Sequence, residues 1–390
     1  MKKRAVWMAA GAAFALAAFG ADDGANAPGP APAATAFKAG DVPIYAELDE
    51  GESITFELAD GAAHTLELAG FSRTSAQLLI DGKPQEVKYR PQDLPITVAG
   101  MRVGVEITKA WSDAQRFAWF GLKKDCRLFL SDASRPVMTH PEGVYPLSPA
   151  PTIAGGTIWG GGWLSERRPA QRDCHIGFDV YGPVGTRILA IEDVVVTDVR
   201  VDQDYGDMIV IEMEGKRFRY SFLHLSEAHV KPGQALKRGD EVGLVGQTGY
   251  CAYPHLHVHM MLPGAVSKDG PVREGRGVNV NPGPYIHDMY ARLDAKQLVD
   301  FNKVTLKAVD PDGNRVPLTY YHVKLPDGRT CDIGIHDSTS VPVGKNPFTF
   351  VAEHRKLGLR GEVTVSVERS GQEVTVVMQK APVPDTKPAE

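Results

Sequence analysis

Between Phe37 and Met378 the apolar residues fall on every second position, in short runs such as Ser53-Ile54-Thr55-Phe56-Glu57-Leu58, His64-Thr65-Leu66-Glu67-Leu68 and Val304-Thr305-Leu306-Lys307-Ala308-Val309. A period of two sends alternate side chains to opposite faces of an extended chain, whereas a helix would scatter the same residues around its circumference. Turn signals such as Asp81-Gly82 and Asp310-Pro311-Asp312-Gly313 separate the runs, and 40 glycines and 28 prolines interrupt any longer helical stretch. The pattern predicts a mainly β protein. Its 390 residues exceed what one core serves, at about 100–200 residues per domain, so the chain is expected to be multidomain. The 43 basic and 48 acidic side chains leave a formal charge of −5, which lacks the basic excess of a nucleic-acid-binding surface and argues for no nucleic-acid partner.

The opening residues Met1-Lys2-Lys3-Arg4 are basic, and Ala5 to Phe19 is apolar but shorter than the roughly 20 residues of a spanning helix. Small-residue cleavage patterns follow at Ala18-Phe19-Gly20 and Ala25-Asn26-Ala27. Residues 1–27 therefore read as a signal peptide, with an uncleaved anchor as the competing reading. No second run is long and apolar enough to span a bilayer, so the mature chain is expected to be secreted or periplasmic, without stable membrane insertion. Residues 28–36, which include Pro28-Gly29-Pro30-Ala31-Pro32, suit an extended linker. Residues 37–144 read as an N-terminal β domain with no constellation that carries chemistry, and 300–380 as a C-terminal β-sandwich. The opening of the latter weakly resembles the transthyretin-like modules attached to secreted peptidases. The proline-rich residues 381–390 are expected to be disordered.

The chemistry concentrates in residues 145–290. Asp173-Cys174-His175-Ile176-Gly177-Phe178-Asp179, Phe222-Leu223-His224-Leu225-Ser226 and Pro254-His255-Leu256-His257-Val258-His259 gather five of the chain's 12 histidines beside an aspartate. On a strand, residues two apart share a face about 6.6 Å from each other, so His255, His257 and His259 would line one face while Leu256, Val258 and Met260 enter the core. His175 and Asp179 would stand about 13 Å apart on a straight strand, too far to share an ion bound at about 2 Å. The chain must bend between them, and Gly177 at the midpoint makes a bulge or turn cheap. A helix would also bring the pair together, but Gly182-Pro183 follows at once and makes a helix the poorer reading. Zinc suits two neutral imidazoles and a carboxylate with a water in the fourth position, whose pKa then falls to about 7. Structural zinc sites close with four protein ligands and favour cysteine, so this set points to catalysis.

These segments resemble the lysostaphin/LytM-type zinc metallopeptidases, which cleave cell-wall peptides. The resemblance runs from Tyr145-Pro146-Leu147 through His175-x-Gly177-x-Asp179, Gly185-Thr186 with Ala190, and Tyr205-Gly206-Asp207-Met208-Ile209-Val210-Ile211. It continues with His224-Leu225, Val230, Gly233 and Gly239, Gly243-Leu244-Val245-Gly246-x-Thr248-Gly249, Pro254-His255-Leu256-His257 and Asn281-Pro282. It implies a central antiparallel β metallopeptidase domain over 145–290, of LytM-like, duplicated hybrid-motif architecture, flanked by β-sandwich-like domains. It implies that His175, Asp179 and His257 ligate Zn2+, and that His224 and His255 form an unligated catalytic pair. Amide hydrolysis needs a base for the water, an oxyanion donor and an acid for the leaving amine, tasks that two histidines and zinc can divide. The implied partners are peptidoglycan stem peptides or cross-bridges.

Several positions depart from the family pattern. His259 stands where an acidic residue is common, as a partner behind a ligand, an extra surface histidine or a competing ligand. Cys251 replaces a small hydroxyl residue, and Tyr253 and Val194 replace glycines, changes expected to line or approach the cleft and to bear on substrate choice. Arg167, Arg168 and Arg172 could attract acidic peptide stems from a mobile loop. Trp159 and Trp163, among Gly155-Gly156 and Gly160-Gly161-Gly162, read equally as a groove wall or as core. The four cysteines, Cys126, Cys174, Cys251 and Cys331, allow three complete pairings. A Cys174–Cys251 bridge near the site competes with free buried thiols. Two other functions compete with a wall endopeptidase: a non-catalytic scaffold or activator of wall hydrolases, and a peptidase for secreted proteins. The scaffold reading expects missing ligands or catalytic histidines, and here all five positions are filled.

Overall fold

Alternation along the runs is realised as alternation of burial. Ile54 and Phe56 are buried within Ser53–Glu57 while their neighbours are half-exposed, and Val304, Leu306 and Ala308 are buried within Phe301–Val309. The computed structural model describes residues 35–40, 43–88, 94–115, 122–138, 142–152, 163, 166–168, 173–203, 207–262 and 278–380. The residues read as signal peptide and tail lie outside this set. Strands dominate it, with α-helices only at Lys109–Gln115 and Gly283–Ala291 among the described residues. No helix among them is long and apolar enough to cross a membrane.

Within the compact unit Thr35–Glu390, three hydrophobic cores follow one another along the chain. The first lies between two sheets, one of five strands ending in Ser75–Ile80 and Lys83–Lys88, the other built on Cys126–Asp132 and Met101–Thr108. Strand Thr35–Lys38 starts inside the stretch read as linker and pairs in parallel with Ser53–Glu57, because Phe37 has this core to pack against. Two residues from beyond the domain also enter the core: Trp163, fully buried, and Ile176, partly buried.

The central core underlies an antiparallel sheet of ten strands. His255–Leu262 lies between Phe178–Tyr181 and Arg219–Ala228, and Leu256, Val258 and Met260 point into the core. Arg219–Ala228 changes neighbour along its length, pairing with His255–Leu262 up to Leu223 and with Glu241–Val245 from Leu225 onward. The third core separates a three-stranded from a five-stranded sheet and takes in Val184 and Leu244 of the central domain. The C-terminal sandwich thereby shares its core with the central domain.

Candidate active site

Sheet register places the first donors. Asp179 and His257 are directly opposed on adjacent antiparallel strands, where side chains on the same face approach closely. His175 reaches them because the chain bends at Gly177, whose φ is +142°. His175 Nε2 lies 2.8 Å from His257 Nδ1, His257 Nδ1 lies 2.7 Å from Asp179 Oδ1, and His175 Nε2 lies 3.0 Å from the same oxygen. All three side chains are buried.

The arrangement of protons fits a cation. His257 Nε2 is 3.2 Å from the carbonyl of Ile176, which can only accept, so Nε2 carries the hydrogen and Nδ1 presents a lone pair to the carboxylate. Burial holds the His257 imidazolium well below the usual histidine range, against the attraction of the Asp179 carboxylate. A neutral ring with its lone pair facing a carboxylate oxygen needs a positive centre between them, and the Ile176 carbonyl is the outer partner that fixes such a ligand's tautomer. Burial opposes ionisation of Asp179, but the facing imidazoles of His255, His175 and His257 keep its carboxyl well below the usual range. Two imidazole nitrogens and one carboxylate oxygen, each within 4.8 Å of the others, are a donor set that leaves room for a fourth group on the ion.

His224 comes to the site through a bulge. On the neighbouring strand Val210 faces Leu223 and Ile209 faces Leu225, so His224 has no counterpart, and its φ is +67°. A bulged residue re-aims its side chain, and for a non-glycine the left-handed conformation costs about 1–2 kcal/mol. His224 Nδ1 is 2.8 Å from the carbonyl of Thr248 and His255 Nδ1 is 2.9 Å from that of Tyr253. Each ring thus donates from Nδ1 to main chain, which turns Nε2 into the working nitrogen. His255 Nε2 is buried, makes no hydrogen bond among the described residues and lies 3.2 Å from Asp179 Oδ1. Burial works against the charged form of His255, but the Cys251 sulfur and the Asp179 carboxylate hold its pKa well above the usual histidine value. The His224 and His255 ring centroids are 4.9 Å apart. His224, His255 and His257 form a second cluster of facing donor atoms that shares His257 with the first.

The remaining sequence candidates divide. His259 packs edge-on against His257 with ring centroids 4.6 Å apart. Tyr253 lies between Tyr181 and His255, at 5.0 and 5.4 Å between centroids. Cys251 is a free buried thiol that donates to the Tyr253 carbonyl at 2.8 Å. The expected Cys174–Cys251 bridge is therefore not formed, and the Cys174 side chain lies outside the described residues. Val194, expected near the cleft, is instead core: it faces Gly215 and Leu236 on a strand separated from that of His224 by Met208–Gly215. Trp163 is no groove wall, because its ring fills the N-terminal core and its Nε1 donates to the Glu106 carbonyl at 3.3 Å. Glu166–Arg168 pairs with Asp173–Cys174 as strands rather than forming a free loop. The side chains of Arg167, Arg168, Arg172 and Trp159 lie outside the described residues. Sequence reasoning missed the carbonyls of Ile176, Thr248 and Tyr253, since a main-chain acceptor has no residue signature; Gly249 beside Thr248 was the nearest hint.

Residues 173–282 match the family model described as Peptidase family M23. Over 90 residues the chain is 38% identical to the peptidoglycan DD-endopeptidase ShyA of Vibrio cholerae, covering 23% of this chain and 21% of that one. Over another 90-residue alignment it is 36% identical to the glycyl-glycine endopeptidase ALE-1 of Staphylococcus capitis, covering 22% and 24% respectively. The aligned part thus spans less than a quarter of either relative. Among solved structures, the catalytic domain of the antimicrobial peptidase lysostaphin from Staphylococcus simulans aligns at 24% identity over 37% of this chain and 92% of that chain, with a TM-score of 0.24. The segment 173–282 is a peptidase family M23 domain.

Proposed function

We propose that the protein is a zinc-dependent endopeptidase that hydrolyses peptide bonds in peptidoglycan stem peptides or cross-bridges. The observation that carries this reading is the meeting of two histidine nitrogens and one carboxylate oxygen within 3.0 Å, beside two further histidines whose rings are pinned through Nδ1. His175, Asp179 and His257 hold the metal. Zinc in such a site supplies a Lewis acid for the scissile carbonyl and the attacking water. His224 and His255, with Nε2 turned to the same hollow, take a proton from water and deliver one to the leaving amine, and a ring that has already given its Nδ1 hydrogen to a carbonyl needs no reorientation between these tasks. A scaffold without activity would have no use for the strain at His224. The names of the relatives support the substrate class, and the basic and apolar residues 1–27 support export to the compartment where peptidoglycan lies.

The test is release of free amines from purified peptidoglycan. Activity should disappear with a chelator and return with zinc, and His257→Ala should bind no metal and show no activity. Full metal content and rate in that variant would refute the ligand set. Parallel zymography should clear peptidoglycan and leave casein intact; clearing of casein alone would favour a peptidase for secreted proteins.

A further inference from the structure

The segment between Val245 and His255 has no strand partners, yet it supplies both carbonyls that orient the catalytic pair. Thr248 is secured within the sheet, since its hydroxyl donates to the Leu225 carbonyl at 2.7 Å and accepts from the Ile209 amide at 3.2 Å. On its His255 side the loop packs Tyr253 against Tyr181 of the central sheet, with ring centroids 5.0 Å apart, and its main chain meets the C-terminal sandwich. The Cys251 amide donates to the Gly249 carbonyl at 3.0 Å and is shared with His336 Nε2 at 3.3 Å, a nitrogen that itself lies 3.2 Å from that carbonyl. On either side, Gln247 Nε2 donates to the Ser338 carbonyl at 2.9 Å and the Ser338 hydroxyl donates to the Ala252 carbonyl at 3.3 Å.

From this geometry we infer that His336 is a positioning residue for His255, acting through Cys251. His336 fixes the Cys251 main chain, the Cys251 thiol donates to the Tyr253 carbonyl, and that carbonyl receives the Nδ1 hydrogen of His255. Each link is a hydrogen bond among half-buried or buried groups, where misplacing a partner misplaces the next. The last link decides which His255 nitrogen faces the substrate. The C-terminal domain is then a working part of the hydrolytic centre. The inference rests on the hydrolytic reading only for its kinetic arm.

The experiment uses the full chain loaded with zinc. His336→Ala should lower kcat about 10-fold, as loss of an outer partner of a site residue does, with KM unchanged within about twofold and zinc content intact. His336→Gln, whose amide can both accept from Cys251 and donate to Gly249, should recover most of the loss. In a His255→Ala background, His336→Ala should add nothing, because the two act as one unit. Losses that multiply in the double variant, or a rate unchanged in His336→Ala, would overturn the inference. The second readout is the nitrogen-15 and proton resonance of the His255 Nδ1–H group, which should shift or broaden in His336→Ala and return in His336→Gln. If the wild type does not hydrolyse peptidoglycan, the proposed substrate fails while this resonance still decides the positioning role; an undisturbed resonance in a folded His336→Ala protein refutes it.

Discussion

Gly177 lies against the imidazole of His257 so closely that a Cβ built on it would stand 2.5 Å from Nε2. The same Cβ would meet His259 Cδ2 at 2.6 Å, and the φ of +142° is one that residues with side chains avoid. Glycine is therefore required twice, for the turn that brings His175 back to Asp179 and for the space the His257 ring occupies. Gly177→Ala should displace either the His175 segment or the His257 ring. The expected result is zinc binding weakened by about 10–100-fold, measured by competition with a chromogenic chelator, together with a lower melting temperature. Wild-type affinity in the alanine variant would show that the bend tolerates a side chain.

Substitutions at His224 and His255 predict a different phenotype from those at His175, Asp179 and His257. His224→Ala and His255→Ala leave His175, Asp179 and His257 untouched, so metal content should stay at one equivalent. The rate should fall by about 10²-fold or more, as removal of a general acid–base group typically does. Truncating His224 also leaves alanine in the left-handed conformation at φ +67°, so His224→Asn, a residue more tolerant of that region, is the cleaner comparison. Turnover near wild type in either alanine variant would remove that histidine from the mechanism.

The legible part of this site is the part that periodicity and covalent spacing control. The alternation His255-Leu256-His257-Val258-His259 fixed which side chains share a face, and the distance along a strand forced the bend at Gly177. Non-local main-chain geometry was illegible. The bulge at His224 arises from a strand that changes neighbours between Leu223 and Leu225, and nothing around His224 in the sequence announces it. Trp163 stayed open between groove wall and core for a related reason: its glycine-rich surroundings suit a loop, and its ring finds the core of a domain whose strands lie before residue 133. Burial in a neighbouring domain is a long-range event that composition near the residue does not encode.

Trp163 and Ile176 make the N-terminal domain a support for the segment that carries His175. Ile176 puts its side chain against that domain's core and its carbonyl on His257 Nε2. Trp163→Ala should cost about 3–5 kcal/mol of stability through the cavity it leaves, seen as a lower denaturation midpoint. Because Ile176 packs against the same core, zinc affinity should fall as well. A chain beginning at Tyr145 should likewise lose metal binding; retention of full metal and rate by that truncation would make the N-terminal domain dispensable to the site.

Glu106 joins the same two domains and makes their union sensitive to pH. Its carboxylate accepts from the Asn281 amide at 2.9 Å, and it is fully buried beside Tyr45, Tyr285 and Arg127. Burial raises its pKa from 4.5 to about 7, against the Asn281 hydrogen bond and the Arg127 charge. A raised folded-state value means the folded chain holds this proton more tightly than the unfolded chain. The stabilisation is complete below about pH 4.5 and is lost as the pH rises through about 7. The total swing is on the order of 3 kcal/mol at most. Glu106→Gln keeps an acceptor for Asn281 and removes the titration, so the variant should gain stability relative to wild type as the pH rises from about 4.5 to 8. Urea unfolding of both proteins across that range provides the comparison. A stability difference that stays constant with pH would show that Glu106 ionises in the folded protein as readily as in the unfolded one.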